Sequence, residues 1–90
     1  MRDSLDARRK RLLYRSRYRG TLETDHLIGR CAARHLAGMD SGQLDRWEVL
    51  LELADPDLFD WATGRRPVPP EHDSDVMRLL IGFNDTHGTE

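Results

Sequence analysis

The chain has 90 residues, which is enough for one domain but not for two separate hydrophobic cores. Hydrophobic residues make up 38% and charged residues 33%, as in an ordinary globular protein, and no apolar run approaches the roughly 18 residues that cross a bilayer. The single cysteine, Cys31, excludes an intramolecular disulfide. No secretory signal is recognisable, and Asp3 and Asp6 argue against a mitochondrial transit peptide. We therefore expect a cytoplasmic bacterial protein without membrane insertion.

The first predicted helix runs from about Ser4 to Arg19. Asp3 or Ser4 can cap its start, and Gly20 stands where a left-handed residue commonly ends a helix. Residues 1–20 carry a net charge of +6, whereas the other seventy carry −8. The apolar residues of this helix form only a thin stripe, so we expect it to be mostly exposed: Leu5, Leu12, Leu13 and Tyr14.

The second and third predicted helices carry broader apolar faces. The second runs from about Leu22 to Leu36, with Thr21 as a possible cap and Gly38 after its end. Its predicted buried side contains Leu22, Leu27, Ile28, Cys31, Ala32 and Leu36. Asp40 or Ser41 opens the third helix, and Met39 is placed to act as a hydrophobic staple. The third helix shows one face by its spacing: Leu44, Trp47, Leu51 and Ala54.

Two further helices complete the pattern. Asp55-Pro56-Asp57 is a strong helix start, with Asp55 as the predicted cap and Gly64 as the stop after two turns. The last helix is predicted to begin near Pro70 or Glu71. No segment alternates with a period of two, so we predict an all-α, compact five-helix bundle in a single domain with its core at about 4–84. Residues 85–90 are predicted to fray.

The sequence contains no recognisable catalytic or metal-binding motif. Neither GxGxxG nor a Walker A sequence is present. Cys31 and His35 stand at i, i+4, but two ligands do not make a metal site. No pattern indicates a nucleophile with its base, and Asp55 and Asp57 are better explained by helix capping. We predict no catalytic residue, no bound metal and no cofactor that the chain binds stably by itself.

The basic first helix has two interpretations. Six net positive charges can neutralise several phosphates, which would make the chain a small basic-helix nucleic-acid-binding or adaptor protein. However, the whole-chain pI is about 6.1 and no helix-turn-helix partner is evident. A solvated face that partly forms ion pairs is the favoured interpretation, so we expect no specific nucleic-acid binding.

The segment Arg19-Gly20-Thr21-Leu22-Glu23-Thr24-Asp25 joins two helices directly, with a cation and two acids around a bare backbone. As a docking corner, it would let a partner's backbone approach Gly20, and Arg19 and Glu23 would be largely exposed to contact that partner. The alternative is a glycine-capped turn stabilised by an Arg19–Glu23 ion pair. Composition and spacing alone favour the alternative.

Arg19-Gly20-x-x-Glu23-x-Asp25 resembles the RGxxE motif of the FAD assembly factors of succinate dehydrogenase, the SdhE family. Leu50-Leu51-Glu52 followed by Asp55-Pro56-Asp57-Leu58-Phe59-Asp60-Trp61 is similar to that family's second signature, and Met77-Arg78-Leu79-Leu80 to its last helix. The resemblance covers about residues 10–84. It departs from the family's usual residues at Tyr18, Thr21 and Gly29.

The resemblance implies a five-helix domain and a function as a chaperone. Members bind the flavoprotein subunit of succinate dehydrogenase, and in bacteria also that of fumarate reductase, and promote covalent attachment of FAD to it. By that likeness Arg19, Gly20, Glu23 and Asp25 are the expected partner-binding residues. The FAD belongs to the client flavoprotein, and we expect the chain itself to be a monomer that is not an enzyme.

Overall fold

The structure, a computed structural model, describes residues 4–20 and 22–87, with the backbone alone for 86 and 87. It contains α-helices and two short 3-10 segments, Leu36–Gly38 and Pro70–His72, and no strand occurs within those ranges. The prediction of an all-α, five-helix protein is confirmed. The candidate caps Asp3 and Thr21 and the tail 88–90 lie outside the described residues. The helices are α1 (Leu5–Arg17), α2 (Leu22–His35), α3 (Ser41–Leu51), α4 (Asp55–Ala62) and α5 (Asp75–His87).

Local capping explains where several helices begin and end. The Ser4 hydroxyl accepts a hydrogen bond from the Ala7 N–H at the start of α1. At the start of α3, the Asp40 carboxylate accepts from the Gln43 N–H, and the Gln43 side chain accepts from the Asp40 N–H, which completes a capping box. Gly64 follows α4 with a φ of +80°, as predicted for a helix stop.

The start of α4 differs from the prediction. Asp55 is the first residue of the helix, and the capping position is occupied by Ala54, which has no side-chain capping bond. The Asp55 carboxylate instead accepts a hydrogen bond from Arg19, and the Asp57 carboxylate accepts from Arg66 Nη2 at 2.5 Å. The Asp-Pro-Asp segment is therefore structural, but through ion pairs rather than through capping by Asp55.

Helix α5 begins later and ends later than predicted. Pro70–His72 forms a separate 3-10 turn, and α5 starts at Asp75 because the Ser74 hydroxyl accepts from the Met77 N–H. The helix continues to His87, three residues past Asn84, since neither glycine nor proline interrupts 85–87.

One hydrophobic core joins all five helices. Each helix contributes at least one side chain that is 1% exposed or less, as shown by Leu12, Ile28, Trp47, Leu58 and Leu80. The core also contains a small polar chain: Trp47 Nε1 donates to the buried Ser16 Oγ at 3.0 Å, and Ser16 Oγ donates to the Leu12 carbonyl at 2.7 Å. The buried Trp47 Nε1 and Ser16 Oγ are therefore both paired within the core.

Helices α1 and α2 pack closely because α2 has a glycine at their crossing. A Cβ on Gly29 would lie 3.0 Å from Arg17 Cγ and 3.3 Å from Arg17 Cα. The missing side chain of Gly29 thus allows the backbones to approach. The close contact places the α1–α2 turn, with the expected partner-binding residues, at one end of the helix pair.

No helix in the described ranges is both long enough and apolar enough to cross a membrane.

Candidate functional site

The α1–α2 turn is centred on an exposed glycine, Gly20. Helix α1 ends at Arg17 with Tyr18 as its C-cap, and Gly20 lies two residues beyond that cap, with a φ of +122°. A Cβ built on Gly20 would meet no described atom within 4 Å. The predicted positive φ of Gly20 is confirmed, but α1 ends at Arg17 rather than Arg19, so Gly20 lies beyond the residue that caps the helix. Its backbone is open to approach from outside.

Asp25, in the first turn of α2, holds the α1–α2 turn in place. Its Oδ1 accepts hydrogen bonds from the Arg19 N–H at 2.5 Å and from the Gly20 N–H at 3.2 Å. These bonds satisfy two backbone donors that follow the end of α1. Asp25 therefore shapes the turn, and its Oδ1 is engaged by two backbone donors of the turn itself.

Arg19 is directed into the protein, which contradicts the expectation that it is largely exposed. Its side chain is only 9% exposed and forms an ion pair with Asp55, whose side chain is 17% exposed. The three guanidinium nitrogens each donate to a different acceptor at 2.7 Å: Nε to Asp55 Oδ1, Nη1 to the Leu51 carbonyl and Nη2 to the Leu53 carbonyl. Arg19 thus satisfies two backbone carbonyls at and just after the end of α3 and neutralises the Asp55 carboxylate in the first turn of α4.

Glu23 is the exposed acidic residue of the motif. It lies in the first turn of α2, and among the described residues no hydrogen-bond or ion-pair partner is found for it. The predicted alternative, an Arg19–Glu23 ion pair, is wrong because Arg19 is engaged with Asp55. Of the four candidate residues, Gly20 and Glu23 therefore face outward, while Arg19 and Asp25 build the turn beneath them.

Sequence reasoning missed an apolar surface on both sides of Gly20. Tyr14 and Tyr18 are each 66% exposed, and their rings lie 4.6 Å apart. Leu22, predicted to be buried, is 85% exposed. The reason is its position on α2. The buried face of the helix begins at Thr24, which is 2% exposed, and two residues correspond to a rotation of about 200°, so Leu22 lies on the opposite side.

The exposure of the two tyrosines follows from which side of α1 faces the core. Leu12 and Ser16 are both buried at i, i+4 on α1, so the tyrosines, each two residues later, lie on the opposite side of the helix axis. Only the burial of Ser16 reveals which side faces the core, because serine is a poor indicator of burial.

Two of the arginines of α1, Arg8 and Arg15, pair with acidic residues on α3 and just after it. Arg8 Nη2 donates to Asp45 at 2.6 Å and to Glu48 at 3.0 Å, and these hydrogen bonds raise the pKa of Arg8 above its ordinary value. Arg15 forms ion pairs with Glu48 and Glu52. The interpretation of the basic helix as a face that partly forms ion pairs is confirmed for these residues.

The described residues contain no group of three or more His, Cys, Asp or Glu side chains arranged to hold a metal. Cys31 is fully buried, and burial raises its pKa to about 12, so the thiol stays protonated at neutral pH. His35 packs edge-on against Phe83, with ring centroids 6.2 Å apart.

Comparison with known proteins gives a consistent result. The family model described as flavinator of succinate dehydrogenase matches residues 10–84. The chain is 42% identical over 79 residues to the FAD assembly factor SdhE of Acetobacter pasteurianus, covering 88% of this chain and 72% of that protein.

Mitochondrial relatives match to a similar degree. The chain is 41% identical over 80 residues to succinate dehydrogenase assembly factor 2-A of Drosophila mojavensis, covering 87% of this chain and 51% of that protein. It is 42% identical over 80 residues to succinate dehydrogenase assembly factor 2 of Aedes aegypti, covering 87% of this chain and 50% of that protein. The chain thus spans about half the length of these mitochondrial relatives.

Proposed function

The chain belongs to the family of flavinators of succinate dehydrogenase, and we propose on that basis that it promotes covalent attachment of FAD to the flavoprotein subunit of that enzyme. The observation that carries the proposal is the family match over residues 10–84, which includes the α1–α2 turn and the whole core. The relatives in Acetobacter and Drosophila are named as assembly factors, which supports the same role here.

The geometry supports a chaperone that positions its client rather than an enzyme. Gly20 allows a partner's backbone to approach the turn, and the exposed Glu23 can accept hydrogen bonds from it. Arg19 and Asp25 hold that turn in one conformation through bonds within the chain. A preorganised surface of this kind can hold a flavoprotein in a reactive conformation and so lower the barrier to attachment.

In this proposal the flavin is carried by the client, and this chain supplies neither the nucleophile nor a stable FAD site. The attached FAD and the residue that receives it both belong to the flavoprotein. The chain acts as a monomer in the bacterial cytoplasm, and the fumarate reductase flavoprotein is a second client of the same kind. Arg19, Gly20, Glu23 and Asp25 remain the proposed partner-binding segment, with contact made by Gly20 and Glu23.

The nucleic-acid alternative receives less support from the same structure. Arg8 and Arg15 are engaged by carboxylates of α3, so a phosphate backbone would have to compete with ion pairs inside the chain. The acidic helix α3 would also lie beside any nucleic acid bound along α1, which is electrostatically unfavourable.

Complementation in cells tests the proposal. The gene is expressed in cells that lack their own factor, and covalent flavin on the succinate dehydrogenase flavoprotein is measured by in-gel fluorescence. We expect the fluorescent band to return with the wild-type chain and to be absent with an empty vector. A band that stays absent although the chain is expressed and folded would overturn the proposed function. Purification of the tagged chain from its own cells then tells whether one or both flavoproteins accompany it.

A further inference from the structure

An open groove lies beside the α1–α2 turn, between the end of α1 and the outer face of α2. Its volume is about 390 Å³, and Arg17, Tyr18, Leu22, His26 and Arg30 are among the residues that line it. Tyr18 and Leu22 stand two residues before and two after Gly20, so the groove is continuous with the proposed contact turn.

The apolar part of the groove is unusually exposed. Leu22 and Tyr18 are 85% and 66% exposed, and the Tyr14 ring packs beside Tyr18. Large apolar side chains that adjoin one another on a small domain commonly mark a surface where another protein binds. Tyrosine is also enriched in such interfaces because its ring is rigid and apolar while its hydroxyl can bond.

The groove also has a cationic rim for which the described residues supply no ion-pair partner. Arg17 and Arg30 form no ion pair with a carboxylate of the described residues, and Arg30 Nη1 has only the ring nitrogen of His26 at 3.3 Å. By contrast, Arg46, Arg66 and Arg78 each pair with an aspartate elsewhere on the surface. Asp25 also lines the groove, but its Oδ1 is occupied by the turn amides.

We propose that this groove binds a segment of the client flavoprotein in which an apolar side chain is flanked by carboxylates. The apolar side chain packs against Leu22 and Tyr18, and the carboxylates pair with Arg17 and Arg30. The positive charge of Arg17 and Arg30 favours a segment that carries carboxylates, and because the groove adjoins Gly20 we assign that segment to the client that docks on the turn. The inference rests on the proposed function, since it names how the same client is recognised, and it makes Leu22, Tyr18 and Arg30 affinity determinants beyond the RGxxE-like residues.

Binding measurements on matched variants test the groove. The probe is the purified succinate dehydrogenase flavoprotein subunit that carries no covalent flavin. We expect Leu22→Ser to raise the Kd about tenfold. Val49→Ser is the control: Val49 is 60% exposed on α3 and does not line the groove, so its Kd should stay within about twofold of wild type.

The cationic rim has its own pair of variants on one helix. Arg30→Glu should raise the Kd about tenfold and make binding less sensitive to added salt, because a favourable pairing is replaced by repulsion. Arg34→Glu, one turn further along α2 and outside the groove, should change the Kd much less. Equal effects of the two substitutions would overturn the proposed pairing.

A photoreactive p-benzoylphenylalanine in place of Leu22 identifies the occupant directly. We expect a cross-link to a flavoprotein peptide that contains an apolar residue with aspartate or glutamate beside it. A cross-link to a basic segment would overturn the inference while leaving the proposed function intact. If the Leu22→Ser and Arg30→Glu variants both bind with wild-type affinity, the inference is likewise overturned and the proposed function is left intact. If the wild-type chain neither binds the flavoprotein nor restores its covalent flavin, the proposed function and this inference fail together.

Discussion

Arg19 and Asp55 are 36 residues apart in the chain, and Arg19 Nε donates to Asp55 Oδ1 at 2.7 Å. Both side chains are largely shielded from water, so the pair connects the α1–α2 turn with the junction of α3 and α4. Two motifs that are separate in sequence, the RGxxE-like segment and the Asp-Pro-Asp segment, therefore form one structural unit. In the proposed function, Arg19 is a positioning residue that acts on the partner only through the turn that it holds.

Replacing Arg19 should destabilise the protein as well as impair function. Arg19→Met leaves Asp55 and two carbonyls without their donor, and we expect a loss of about 3 kcal/mol in the free energy of unfolding. Arg19→Lys should be only partly tolerated, because one ammonium cannot replace three nitrogens that reach three acceptors. Urea unfolding followed by circular dichroism measures both. An Arg19→Met protein that is as stable as wild type yet inactive would instead make Arg19 a direct contact.

Gly20→Arg should abolish support of flavin attachment while the helical fold is retained. The new side chain would occupy the open approach to the turn, and the positive φ should cost about 1 kcal/mol of stability. Gly64→Arg is a matched control, since Gly64 also has a positive φ and open surroundings but lies after α4. We expect similar losses of thermal stability in the two variants, and loss of the in-gel flavin signal only with Gly20→Arg. Equal flavin signals would remove Gly20 from the contact surface.

Glu23→Ala should reduce covalent flavin attachment with little change in stability. Glu23 is exposed and has no partner among the described residues, so the free energy of unfolding should change by less than about 0.5 kcal/mol. Glu23→Gln keeps an acceptor oxygen and should retain more activity than Glu23→Ala if that oxygen receives a hydrogen bond from the client. Glu71→Ala, an exposed acid on the 3-10 turn before α5, should leave the flavin signal at the wild-type level.

Two glycines within helices should respond oppositely to alanine. Gly82→Ala meets open space on α5 and should stabilise the protein by about 1 kcal/mol, the usual difference in helix propensity. Gly29→Ala would press against the backbone of Arg17, which should offset that gain and cost about 1–2 kcal/mol net. Thermal unfolding of the two variants under identical conditions provides the comparison. A more stable Gly29→Ala protein would show that α1 can move away at little cost.

Nucleic-acid binding should be weak and sensitive to salt. We expect Kd values above about 1 μM at physiological ionic strength for duplex and single-stranded DNA and RNA, without sequence preference. Fluorescence anisotropy with labelled oligonucleotides checks this expectation. Sub-micromolar binding that is lost on substituting Arg8, Arg9 and Arg11 would favour the alternative function.

Short-range interactions determined what the sequence alone could predict. Ser4 and Asp40 begin their helices, and Gly64 follows the end of α4, through bonds and backbone preferences that involve only neighbouring residues. The apolar spacing then predicted five helices, and the RGxxE-like segment located the turn and its open glycine. These inferences needed no knowledge of how the helices pack.

Only the tertiary structure decided which motif residues face outward. Arg19 faces inward because folding brings Asp55 and the Leu51 carbonyl at the end of α3 beside it. No local sequence pattern connects residues that lie so far apart in the chain. Leu22 faces outward because the opposite side of α2, which carries Thr24, Ile28 and Cys31, packs into the core. Helix periodicity defines a face, but packing against neighbouring helices determines the rotation of that face, and with it the surface that remains for a partner.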